Sequence, residues 1–321
     1  MSRSRRKYDP FVQPGLFDDD FMSVEEPATS FNDLFESKPI IRERLKFISL
    51  GSGSSGNSSF LGNEDYGFLI DAGVKHDLII KELLRNGIDM FKVIGIILTH
   101  DHTDHIAYAY RLLRSYPHMA LFCTPRILNG ILRRHNISRR IKDYHHPVYK
   151  ETPFHIKDFE ITAFEVSHDG SDNVGYLINW KKHRFVVATD MGYISERAQY
   201  YMSQATALML ESDYDHDMLV NGRYPEYLKA RIMAEKGHLS NTQVFDFLST
   251  HWNSTLTHVF LCHLSQHNNN PSIALASARE ALIKAGASSV GDASESIESR
   301  NAPVQLSVLP RFDSSQLFII K

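Results

Sequence analysis

The sequence is poor in several features that would fix its surroundings. It carries two cysteines, Cys123 and Cys262, in 321 residues. Two thiols make no disulfide framework, so a reducing, cytoplasmic setting is predicted. No run of about 18 or more apolar residues occurs, which argues against a transmembrane helix and a membrane partner. The N-terminus lacks the basic-then-apolar pattern of a secretory signal. Charge of one sign is also scarce: 35 Lys and Arg face 38 Asp and Glu, a net of −3. No global basic field therefore points to nucleic acid. Residues 1–37 hold four basic and eight acidic residues, so the rest of the chain is near +1. Such a body binds a polyanion if bound cations supply the local positive charge. What the chain has in excess is histidine, 17 residues.

Residues 1–44 read as a flexible arm. They mix Arg3, Arg5, Arg6 and Lys7 with the run Asp18-Asp19-Asp20 and prolines, and no helical or strand period persists. Ordered sequence is expected from Leu45. Strands are predicted at 46–50, 57–61, 67–71, 93–98, 119–123, 159–166, 174–180, 184–188, 207–211 and 258–262. Helices are predicted at 74–86, 105–116, 125–134, 226–234, 241–250 and 272–285. Residues 288–301 read as a loop, and the tail as a terminal pair of strands. Mixed elements with two strand-rich zones suggest an α/β sandwich.

The histidines cluster. Thr99-His100-Asp101-His102-Thr103-Asp104-His105 directly follows the apolar run Val93–Leu98. A tight turn at a strand end lets alternate side chains converge on one point, as metal ligands must. His with Asp suits zinc, iron or manganese.

This His-x-His-x-Asp-His pattern resembles that of the metallo-β-lactamase superfamily. Ile70-Asp71-Ala72-Gly73, Val166-Ser167-His168-Asp169, Ala188-Thr189-Asp190-Met191-Gly192 and Leu261-Cys262-His263-Leu264-Ser265 match the remaining motifs in order. The resemblance implies an αββα sandwich over 45–321 with two divalent metal ions, zinc first and manganese or iron as alternatives. It implies that His100, His102 and His168 hold one metal and Asp104, His105 and His263 the other. Asp190 would bridge them, with Asp71 in support. Ser52–Ser58, Gly222-Arg223-Tyr224-Pro225, Gly237–Asn241 and His263–Asn269 look like the YycJ/WalJ branch, whose members are described as exonucleases acting on DNA. His267 departs from that pattern, where a charged residue is expected. Relatives are often dimers.

Phosphodiester cleavage needs a proton for the leaving oxygen. His238 is the candidate donor, with Glu211 orienting it, a pairing that resembles the Glu/His pair of tRNA-processing relatives. Asp104 can also accept a proton from the nucleophile. Gly51-Ser52-Gly53-Ser54-Ser55-Gly56 formally fits G-x-G-x-x-G, but a strand rather than a helix is expected after it, so a nicotinamide reading is rejected. Two readings stay open: a tight hairpin beside the metals, or Ser54 and Asn57 contacting substrate phosphate. Arg223, Lys229, Arg231 and Lys236 either contact flanking phosphates or form a solvated helix face. Asn268 and Asn269 either bind substrate or cap the next helix. Cys262 is read as core.

In the arm, Gln13-Pro14-Gly15-Leu16-Phe17 resembles the peptide with which bacterial replication proteins bind the sliding clamp. Phe31–Phe35 is a weaker copy. A bacterial or phage-infected cell would be the host. The leading expectation is thus a dinuclear-metal DNA 5′-to-3′ exonuclease of replication or repair. Three others stand beside it: a phosphodiesterase for cyclic nucleotides or other small molecules, an RNA-processing nuclease, and a non-catalytic clamp-binding factor.

Overall fold

The structure is a computed structural model that describes residues 43–292, Ser299 and residues 301–321. The clamp-like peptide, Phe31–Phe35 and nearly all of the predicted arm lie outside the described residues, as does part of the predicted loop at 288–301.

The chain first lays down β1 (Leu45–Gly51), β2 (Ser58–Gly62), β3 (Gly67–Ile70), β4 (Val93–Ile97), β5 (Ala120–Cys123) and β6 (His145–Pro147), paired in that order. It then builds a second sheet from β7 (Phe154–Ile156), β8 (Phe159–Glu165), β9 (Val174–Trp180), β10 (His183–Ala188), β11 (Ala207–Glu211), β12 (His258–Cys262), β13 (Val290–Gly291) and β14 (Val304–Val308). The last strand, β15 (Phe318–Ile320), returns to the first sheet and pairs antiparallel with β1. The helices among the described residues are α1 (His76–Arg85), α2 (Thr103–Ile106), α3 (Ala109–Ser115), α4 (Pro125–Arg134), α5 (Glu196–Met202), α6 (His216–Val220), α7 (Glu226–Ile232), α8 (Asn241–His251) and α9 (Pro271–Lys284).

The period-two geometry of a strand explains the near-continuous apolar runs of the second sheet. Phe185 and Val187 of β10, Met209 of β11 and Phe260 and Cys262 of β12 face the first sheet. Their alternates Val186, Ala188, Leu208, Leu210, Val259 and Leu261 join Ala198, Val244, Leu248, Ala278 and Leu282 from α5, α8 and α9. Between the sheets, the ring of Phe47 lies 4.9 Å from Phe185 and 4.7 Å from Phe260. Each such aromatic pair adds about 0.5–1.5 kcal/mol beyond the area it buries. Ile79, Leu83, Leu112, Leu113, Ile127 and Ile131 of α1, α3 and α4 complete the first core. The layers are therefore αββα.

One predicted helix is two. The 105–116 segment breaks between α2 and α3, because its backbone is needed elsewhere. The Ala72 N–H donates to His105 O at 2.7 Å, and the Tyr108 N–H donates to Ala72 O at 2.9 Å. These bonds leave the helical ladder and fasten the histidine turn to the end of β3. The short elements β6, α5 and α6 went unread in the sequence, and β13 forms inside the span read as a loop because Val290 and Gly291 pair with β14. Strands of three residues carry too little period to register.

Candidate metal centre

Parallel strands gather their C-terminal ends along one edge, and loops from different strands meet there. β3 and β4 are parallel, and so are β10, β11 and β12. Glu211 is the last residue of β11, and just beyond the other four ends lie Asp71, the His100–His105 turn, Asp190 and His263. Asp71, Asp190 and His263 are all left-handed, with φ of 59°, 54° and 56°. A non-glycine residue in such a conformation costs about 1–3 kcal/mol and persists only where its surroundings impose it. Three of them at one edge mark the place where backbone comfort yields to side-chain aim.

The aim is convergent. His100, His102 and His168 bring ring nitrogens within 4.8 Å of one another, and so do the ligand atoms of Asp104, His105 and His263. His100, His105 and Asp190 form a third such set that joins the two. Asp190 reaches both sides: its carboxylate lies 3.4 Å from His105 Nε2, 3.5 Å from His263 Nε2 and 3.9 Å from His168 Nε2.

A second layer fixes which nitrogen of each ring faces inward. Asp71 Oδ2 accepts from His105 Nδ1 and from Thr99 Oγ1, both at 2.8 Å, while Asp71 Oδ1 accepts the Thr99 N–H at 2.9 Å. Gly237 O accepts from His168 Nδ1 at 3.0 Å. His263 Nδ1 lies 3.4 Å from both Glu211 and Asp213. Asp169 Oδ1 lies 3.2 Å from His102 Nε2, and its Oδ2 accepts from Arg231 at 2.7 Å. The Nε2 atoms of His100 and His263 are buried without a hydrogen-bond partner. Unpaired buried nitrogens beside carboxylates are what a cation would satisfy, so these residues fit divalent metal ions.

The electrostatics of the cation-free cluster agree. Burial opposes charge on His105, but Asp190, Asp71 and Asp104 outweigh it and push its pKa up to about 9. Burial likewise opposes charge on His263, and the carboxylates of Asp190, Asp104, Asp213 and Glu211 around it raise it well above the ordinary value. Burial would raise Asp190, yet the surrounding imidazoles hold its carboxyl far below the usual range. His100 goes the other way: burial and the neighbouring His105 keep it neutral. Protons here are standing in for positive charge.

Glu211 and His238 meet as expected. His238 Nδ1 donates to Glu211 Oε1 at 2.7 Å. Glu211 Oε2 accepts the Met191 N–H at 2.8 Å and, more weakly, the Leu239 N–H at 3.3 Å. Burial opposes a charged His238, and Glu211 overrides it, raising the pKa to about 9. His238 opens with His168, His263, Asp169, Tyr224 and Ser54 onto a cleft of about 200 Å³.

The other expected residues divide. Ser54 lines the cleft. Arg231 and Lys236 line it too, whereas Arg223 is exposed away from its lining. Lys229 is buried and donates to Val220 O and Glu226, which is a structural role. Asn57 is buried: it exchanges hydrogen bonds with Gly53 and places Nδ2 at 3.2 Å from Asp104 Oδ2 and 2.9 Å from His105 Nε2. It braces the cluster instead of facing the cleft. Asn269 is saturated by Ser212 O, Asn241 and the Asn270 N–H, and so holds loops in place of the expected substrate contact. Asn268 is buried beside Gly222 and donates to Ser265. Neither caps α9; Asn270 does, accepting from the Ser272 N–H at 2.8 Å. Cys262 is core. Asp169, Asp213 and Arg311 were missed. Asp169 follows a ligand motif directly, which was a usable signal; Arg311 carried none.

The profile of the Beta-lactamase superfamily domain matches residues 66–255. The chain belongs to the metallo-β-lactamase superfamily. Within that superfamily its relatives place it in the YycJ-like branch. It is 30% identical over 251 residues to the exodeoxyribonuclease YycJ of Bacillus anthracis, covering 78% of this chain and 94% of that protein. It is 30% identical over 228 residues to the exodeoxyribonuclease WalJ of Streptococcus pneumoniae, covering 70% and 83%. The metallo-β-lactamase fold protein YhfI from Bacillus subtilis superposes with a TM-score of 0.61 at 14% identity, over 87% of this chain and 100% of that one. A diphosphatase of the PhnP family superposes at 0.55 and 16%, over 86% and 98%. This metallo-β-lactamase-fold chain is a metal-dependent hydrolase. No helix among the described residues is long and apolar enough to cross a membrane.

Proposed function

We propose that this enzyme is a dinuclear-metal phosphodiesterase that shortens DNA, as a 5′-to-3′ exonuclease of replication or repair in the cytoplasm. The DNA half of the reading is supported by the names of the two YycJ-branch relatives. The phosphodiester half is carried by one observation, the Glu211–His238 pair opening onto the cleft beside the cluster.

In this reading His100, His102 and His168 would hold one ion and Asp104, His105 and His263 the other, with Asp190 placed between the two sets. Imidazole-rich ligation suits zinc, and manganese or iron take the same donors. When bound, the ions supply Lewis-acid polarisation of the phosphoryl group and activate water. The chain's own residues do the rest. Glu211 holds His238 in one orientation and favours its charged form. His238 then gives its proton to the leaving oxygen. His238 and Glu211 also lie near Asp190 and His263. Their facing atoms are already bonded to each other, which favours a proton-donor role over ligation. The arm adds a tether: Gln13–Phe17 would seat on a sliding clamp and hold the hydrolase domain at a replication site.

The test is a substrate panel. Metal-loaded protein is incubated with 5′-phosphorylated duplex DNA, RNA and cyclic mononucleotides, beside Asp104→Ala. Progressive shortening of DNA, absent from the variant, supports the reading. Exclusive turnover of RNA or of cyclic nucleotides overturns it. Deleting residues 1–37 should abolish clamp binding and leave hydrolysis intact; unchanged clamp binding removes the tether.

A further inference from the structure

Arg311 lies between β14 and β15, at the opposite end of the sequence from the glycine-rich turn after β1. Yet its guanidinium joins that turn to the loop carrying His263. Nη1 donates to Leu264 O at 2.6 Å, and Nη2 donates to Ser54 Oγ at 2.5 Å. The turn is shaped for it: a Cβ on Gly53 would stand 2.9 Å from Arg311 Nη1. Ser54 is exposed and lines the same cleft as His238 and His263.

The direction of the Ser54 bond matters. A guanidinium only donates, so Ser54 Oγ is the acceptor. Its own O–H is left to donate to something else, and the cleft is where an acceptor can arrive. The charge balance points the same way. Arg231, on the α7 wall, is neutralised by Asp169. The Arg311 guanidinium donates only to a carbonyl and a hydroxyl; Asp213 and Asp104 act on it through space, but neither forms an ion pair with it. A half-buried cation with neutral partners, behind a hydroxyl donor, makes an anion subsite.

We propose that Ser54, oriented by Arg311, binds a second phosphate of the substrate, next to the one cleaved at the metal cluster. Ser54 is the contact and Arg311 the positioning residue. The site would thereby favour oligonucleotide ends over isolated phosphodiesters. The proposal rests on the phosphodiesterase reading, but its test does not need turnover.

Titration calorimetry of the metal-loaded protein would compare three dinucleotides with phosphorothioate linkages: TpT, its 5′-phosphorylated form and its 3′-phosphorylated form. The expected result is that one phosphorylated form binds about tenfold more tightly than TpT, the size of one hydrogen bond to a charged group. Ser54→Ala and Arg311→Met should erase that preference, read in each variant as the ratio of its affinities for the phosphorylated form and for TpT. Arg311→Lys should restore part of it. Equal binding of all three dinucleotides by the parent protein overturns the subsite, as does a preference that survives Ser54→Ala. Should Arg311→Met fail to fold, Ser54→Ala decides alone, since that side chain is exposed. Failure of DNA shortening in the substrate panel would remove the exonuclease reading and leave this binding difference standing.

Discussion

His238 Nδ1 donates to Glu211 Oε1 across 2.7 Å, with the carboxylate wholly buried and the imidazole partly open to the cleft. The carboxylate cannot turn away, because Met191 and Leu239 also donate to it. The ring is thus fixed, proton-bearing and accessible, the three requirements of a general acid.

His238→Ala should therefore slow DNA hydrolysis by about a hundred- to ten-thousand-fold, the usual worth of a positioned acid. Metal content should not change. Bis(p-nitrophenyl) phosphate provides the contrast, since its leaving group departs without a proton. Loss on that substrate should stay within about tenfold, well below the range for an acid. Equal losses on both substrates would sink the assignment.

Asp169 should act through metal retention. Its Oδ1 lies 3.2 Å from His102 Nε2, a charge contact without a hydrogen bond, on the side of the ring away from the nitrogen that meets His168. Removing a carboxylate behind a ligating histidine weakens metal binding by roughly 10–100-fold. Asp169→Ala should show that loss in a chelator competition. Arg231→Ala keeps the carboxylate and should retain metal as the parent does. If both variants bind metal equally well, Asp169 does not support His102.

The candidate cluster was legible because its residues are local in sequence or sit in short motifs at strand ends. The buried strands were legible too, since a sheet covered on both faces demands unbroken apolar runs such as Val93–Leu98. What stayed hidden depends on folding. Asn57 and Asn269 looked free to meet substrate, and only packing shows them braced behind the site. The break between α2 and α3 arises from bonds to Ala72, which no local propensity encodes. Arg311 reaches Ser54 across 257 residues, and nothing near either residue announces the pairing.

Gly73 fixes the distance between the β3 end and the cluster. A Cβ there would sit 1.6 Å from Asp104 O, inside any allowed contact. Gly73→Ala must therefore push the Asp104–His105 backbone away. Overpacking of this kind costs about 1–3 kcal/mol. The expected outcome is a lower Tm together with reduced metal content, read by thermal melting and elemental analysis. An alanine variant with parental Tm and full metal would show that the turn is freer than this contact requires.

Proton balance gives the pH dependence. In the metal-free cluster His105 titrates at about 9, and His263 is also raised well above the ordinary value. Near pH 7 both carry protons, and a metal must displace them before binding. Uptake should release on the order of two protons, so affinity should rise with pH towards 9. Stability of the metal-free protein should run the opposite way. A histidine raised in the folded state contributes fully below its unfolded value of about 6.5. That contribution is lost as pH climbs through about 9. Chelated protein should therefore melt at progressively lower temperature from pH 7 to 9, while the gain in Tm on adding metal widens. Titration calorimetry in buffers of different ionisation enthalpy would count the protons. Metal uptake without proton release would mean that the cluster is not held together by protonated histidines.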